Sequence, residues 1–147
     1  MNVRHDGVSG LLYPNQKGRS TMKKEVFTPK GMKCFGGPVA EVAIAGGFAF
    51  VSGQISLDPA TGEIRHGTIE EETEQALSNL KLIVEELGAE LADVVKCDVF
   101  LSTMKDFDAM NVVYEKYFGT ETPPARCGVA LELWGGMKIE VGAVVKL

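Results

Sequence analysis

A chain of 147 residues suits one domain with a real core, and 45% hydrophobic and 24% charged content is ordinary for a globular protein. The formal net charge of -5 works against general nucleic-acid binding, which needs a basic footprint. No apolar run approaches the ~20 residues that span a bilayer.

Residues 1–21 carry glycine, proline and polar residues without periodicity and read as a flexible extension upstream of a start at Met22. Residues 22–147 read as a single domain. A short strand is expected over 24–28, ended by Pro29, followed by a glycine-rich loop through Gly36-Gly37-Pro38. Two apolar runs, 42–45 and 48–52, flank Gly46-Gly47, which is a hairpin signal. Asp58-Pro59-Ala60-Thr61-Gly62 makes a turn. His5 and His66, in tail and loop sequence, have no partner at metal-ligand spacing. No metal site and no Ser-His-Asp arrangement is therefore expected.

The clearest helix spans 69–87, with Thr68 and Glu71 as a capping box and Gly88 as the stop. Ile69, Thr73, Ala76, Leu77, Leu80, Ile83, Val84 and Leu87 form its buried stripe, with Glu70, Glu72, Glu74, Lys81, Glu85 and Glu86 on a solvated face. A strand follows over 94–101, in which Val95, Cys97, Val99 and Leu101 alternate with Lys96, Asp98 and Phe100. Cys34, Cys97 and Cys127 are odd in number and lack CxxC spacing, which fits reduced thiols in a cytoplasmic protein. A second helix is expected over 104–118. Its packed face holds Phe107, Met110, Tyr114 and Asn111, whose amide is either a clip to backbone or a pocket lining.

Pro123-Pro124-Ala125-Arg126-Cys127-Gly128-Val129 sets one arginine between a rigid proline turn and a strand over 129–133. A guanidinium fixed there suits bidentate capture of a small carboxylate, and equally a surface arginine paired with a neighbouring acid. After the turn Trp134-Gly135-Gly136, residues 138–146 complete what reads as a second hairpin, apolar on both faces. The expected fold is α+β, a mixed sheet with two helices on one face. The uncovered face would be buried in a homo-oligomer.

Val51-Ser52-Gly53-Gln54-Ile55, Asp58-Pro59-x-Thr61-Gly62, Met110-Asn111-x-x-Tyr114, Pro124-Ala125-Arg126 and Lys138-Ile139-Glu140-Val141 occur in one colinear series. Through them the chain resembles the YjgF/RidA family of reactive intermediate deaminases, also labelled endoribonuclease L-PSP. The resemblance implies a chorismate-mutase-like fold, assembled as a homotrimer with clefts between subunits. It implies hydrolysis of enamine and imine acids such as 2-aminoacrylate to 2-keto acids and ammonia, without metal or organic cofactor. Arg126 would hold the substrate carboxylate, with Asn111, Gly53 and Cys127 as further substrate-binding candidates and Glu140, on the same side of its strand as Gly142, as the catalytic candidate that could reach the cleft. The chain departs from the active deaminases at Val39, Gly128 and Gly142, where they carry tyrosine, cysteine and glutamate. A non-catalytic trimer binding a small carboxylate metabolite is the alternative expectation, and an endoribonuclease the weaker one.

Overall fold

The computed structural model describes residues 23–34 and 36–147, so the expected extension over 1–21 lies outside the described residues. Six strands form one sheet in the order β1-β2-β3-β6-β4-β5, with β1 Glu25–Phe27, β2 Val42–Ala45, β3 Phe48–Gln54, β4 Val94–Leu101, β5 Ala125–Ala130 and β6 Ile139–Lys146. Two helices, α1 Ile69–Glu86 and α2 Phe107–Phe118, pack on one face of it. Between them lies the core, where Leu77, Leu80, Ile83 and Met110 meet Cys97, Val99, Leu101, Val141 and Val145, all buried.

The capping box at the start of α1 is present. Thr68 accepts from the Glu71 N–H, and the Glu71 carboxylate accepts from the Thr68 N–H at 2.8 Å. Glu72 is not on a solvated face as expected but fully buried, because its carboxylate accepts from the backbone N–H of Gly67 at 3.1 Å and of Lys138 at 2.7 Å. Lys138 Nζ adds an ion pair at 3.5 Å. A buried carboxylate is tolerable when its lone pairs are used this way. Asn79, also buried, donates to the carbonyls of Ile55 and Leu57 at 3.1 and 2.8 Å and so pins the segment after β3 onto α1.

Three further expectations are corrected. Strand β5 runs Ala125–Ala130, not 129–133, since Ala125 is the first residue after Pro124 with an N–H to give to the ladder. Its end follows the end of its partner β4 at Leu101, to whose carbonyl Leu131 N–H makes the last bond at 2.9 Å. The closing strands do not form a hairpin. The β4-α2-β5 crossover lays β5 parallel to β4 at the sheet edge, while β6 enters between β3 and β4, antiparallel to both. Finally, a register shift between Val94 and Lys96 makes Val94 the buried residue and leaves Val95 42% exposed.

Candidate functional site

Arg126 is the second residue of β5 and pairs in register with Cys97, whose side chain belongs to the helix-covered core. That alternation points the guanidinium towards α2. Phe107, Asn111 and Tyr114 stand at i, i+4 and i+7 of α2, on one face of the helix, and all three meet the arginine. Nη1 donates to Asn111 Oδ1 at 2.7 Å, and the guanidinium carbon lies 4.6 Å from the Tyr114 ring centroid and 5.4 Å from that of Phe107. Of the two roles open to Asn111, the structure gives it the one against the pocket, as acceptor for the arginine.

The fork lines a cavity of about 510 Å³ with Asn111, Tyr114, Thr120, Pro123 and Pro124. Among the described residues no carboxylate ion-pairs with Arg126, although Glu115 also lines the cavity. One of the five guanidinium N–H donors is engaged by Asn111 and the charge is held over two rings, so the cation is fixed in direction without being neutralised. Beneath it, the buried Tyr114 hydroxyl makes no hydrogen bond of ordinary geometry and lies against the Cys97 thiol, which burial pushes up to about 11. Tyr114 and Phe107 were not among the sequence candidates. Their spacing from Asn111 on one helix face was the signal available.

Gly53 and Glu140 form a second cluster on the opposite, open face of the sheet. Along β6, Ile139, Val141, Ala143 and Val145 face the helices, so Glu140 faces away. The β3–β6 register shifts between Val51 and Gln54, and there the Glu140 side chain crosses Gly53 so closely that a Cβ on Gly53 would overlap its carboxylate. Glycine is needed here for close approach, not for an unusual backbone angle. The Glu140 carboxyl makes no hydrogen bond or ion pair among the described residues, and burial raises its pKa. It borders a recess of about 330 Å³ shared with Val39, Ile55, Trp134 and Met137.

Cys127 is exposed and, one residue on from Arg126, projects from the open face. It stands opposite Asp98, which ion-pairs with Lys96 at 2.9 Å, and it lines neither cavity. The structure thus brings Arg126 together with Asn111, and Gly53 together with Glu140, and leaves the two pairs on opposite faces of one chain. Among the described residues no three His, Cys, Asp or Glu side chains are grouped to hold a metal ion.

Residues 36–147 match the family model described as endoribonuclease L-PSP. A RutC family protein of Pyrococcus abyssi is 49% identical over 107 residues, which is 73% of this chain and 83% of that protein. The human 2-iminobutanoate/2-iminopropanoate deaminase is 31% identical over 125 residues, covering 85% of this chain and 90% of the human one. Escherichia coli TdcF, solved with bound serine, matches with a TM-score of 0.75 at 31% identity, over 85% of this chain and 99% of its own.

Proposed function

Because this chain belongs to the endoribonuclease L-PSP family, the YjgF/RidA proteins, we propose that it hydrolyses 2-imino acids and their enamine tautomers to 2-keto acids and ammonia. The observation that carries this reading is the Arg126 guanidinium, aimed into a cavity, clamped by Asn111 and two rings, and without an acid among the described residues to neutralise it. It is a preformed receptor for a small carboxylate. The named activity of the human relative and the serine bound to the Escherichia coli relative both concern small molecules that bear a carboxylate.

In this reading the working unit is a homotrimer, and the cleft joins Arg126 and Asn111 of one subunit to Gly53 and Glu140 of the next. The open face supports association. Phe48, Phe50 and Val129 are all more than a third exposed on it, apolar side chains that a neighbouring subunit would cover. With the carboxylate on Arg126, the imine carbon is presented to water. On the protonated imine, the Glu140 carboxylate accepts a proton as the water oxygen bonds to that carbon, giving a neutral carbinolamine. The carboxyl then returns the proton to nitrogen, and the C–N bond breaks as the hydroxyl gives its own proton to the carboxylate. Ammonia and a 2-keto acid leave, and the carboxyl passes its proton to water. Most of the acceleration comes from orientation, since the imine carbon is already electrophilic.

The test is a coupled assay in which a dehydratase makes 2-aminoacrylate and keto-acid release is followed above the spontaneous rate. Wild type should accelerate release. Arg126→Ala should reduce kcat/KM by about 10- to 150-fold, the ~1.5–3 kcal/mol of a hydrogen bond to a charged group, and Arg126→Lys by less, with melting temperature unchanged in both. Thermal stabilisation by 2-keto acids without turnover would select a binding trimer instead. Full activity in Arg126→Ala would overturn the carboxylate reading altogether.

A further inference from the structure

The recess beside Glu140 has a composition that the hydrolysis itself does not require. Among the described residues Glu140 is its only ionisable lining, and Val39, Ile55, Trp134 and Met137 supply the rest with the bare backbone of Gly53. Ile55 and Met137 are 7% and 2% exposed and make a fixed floor, while Val39 and Trp134, at 59% and 65%, stand at its opening. The floor is held from behind by Asn79, which takes up the carbonyls of Ile55 and Leu57. Trp134 is carried on a turn closed by Gly135 and Gly136 at φ 67° and 72°, a backbone reserved for glycine, so its placement is built into the chain.

We propose that this recess is the side-chain subsite of the reaction, that Trp134 is its specificity-determining residue, and that the preferred substrates are 2-imino acids with apolar side chains of three or four carbons. The inference rests on the reading above, in which the reacting carbon lies at Glu140. With the carboxylate drawn to Arg126 and water beside Glu140, the third substituent on that carbon runs along the side chains of Val39, Ile55, Trp134 and Met137, which are apolar but for the indole N–H. A volume of about 330 Å³ is wasted on a methyl group, whose bulk is nearer the ~30 Å³ of a water molecule. Each methylene added to the substrate should therefore tighten binding about fourfold until the recess is filled, the equivalent of ~0.8 kcal/mol. An acidic side chain would be rejected, because its charge would be desolvated beside Glu140 without a partner.

Trp134 is the single tryptophan of the chain, so its emission reports this subsite directly. The full-length protein is titrated with pyruvate, 2-oxobutanoate, 2-oxopentanoate and 2-oxohexanoate. In parallel, turnover is measured on the imines that an amino-acid oxidase makes from alanine, 2-aminobutanoate, norvaline and norleucine. The expected result is a blue shift of Trp134 emission that grows with chain length, and a preference of about 50-fold between the ends of the series. Trp134→Ala and Val39→Asp, both at exposed positions, should cut that preference at least tenfold, while Trp134→Phe should retain most of it. Equal kcat/KM along the series, or a preference that survives both Trp134→Ala and Val39→Asp, would overturn the subsite while leaving the deaminase reading intact. The graded emission shift without turnover of any imine would keep the subsite and sink the deaminase.

Discussion

Arg126 and Glu140 face the same physical problem, a charge beside apolar surface, and the fold answers it differently at each. Two aromatic faces and one amide oxygen attend to the guanidinium of the arginine. The glutamate has no such attendant among the described residues, and burial raises its pKa so that the neutral form gains ground. A carboxyl raised in this way binds its proton more tightly in the folded chain than in the unfolded one. Its contribution to stability is therefore complete below the unfolded pKa and is lost as pH rises through the folded value. Glu140→Gln should consequently be more stable than wild type at neutral pH, relative to their difference at acidic pH, as thermal melts across that range would reveal. Activity should move the other way. The substitution should remove most turnover, and the acid limb of the wild-type kcat/KM profile should lie above the ~4.3 of a free glutamate. Gly53→Ala offers a separate handle, since its Cβ would displace the Glu140 carboxylate, the mobile end of a side chain, rather than backbone. A drop in kcat comparable to that of Glu140→Gln, with the fold preserved by circular dichroism, is the expected outcome.

At the scale of elements, the helices do more than cover the sheet. One face of α2 builds the arginine clamp through residues four and three apart, so any slip of that helix along β5 would open the clamp. The first turn of α1 reaches across to β6 through Glu72, whose bond to the Lys138 N–H fixes the chain one residue before the strand that carries Glu140 begins. Glu72→Ala leaves the Gly67 and Lys138 N–H groups without their acceptor. It should cost on the order of 2 kcal/mol, visible as a fall of several degrees in melting temperature. Glu72→Gln keeps an acceptor oxygen and should cost less. If Glu72→Ala melted with wild type, the buried carboxylate would be a passenger and not a fastening.

For the whole molecule the decisive feature is that the two residue pairs proposed for the site stand on opposite faces of the sheet. One chain cannot join them across its own core, whereas a second copy lying against the open face can. Phe50, 48% exposed at the middle of β3, is a sensitive point on that face. Phe50→Asp would place a charge where a neighbour must desolvate it. By light scattering, wild type should have a mass three times that of the 15.8 kDa chain, and Phe50→Asp should shift it towards monomer with turnover lost in parallel. A wild type that remained monomeric at micromolar concentration would remove the shared cleft.

The periodicities were legible because they are local. The stripe and capping box of α1, the Gly46-Gly47 hairpin and the alternation along β4 beyond its bulge each depend on residues within a turn or two of one another. The arginine after two prolines was visible for the same reason, and the colinear motifs carried the family. Pairing at a distance was not visible. Nothing near 138–146 distinguishes a hairpin partner of β5 from a central strand between β3 and β4, because both want apolar residues on alternate positions. Glu72 looked like one more surface acid, since its acceptors' partners lie five residues back and 66 residues on. That Arg126 and Glu140 face opposite ways followed only once β6 was seated beside β4, for register turns a position along a strand into a side of the sheet.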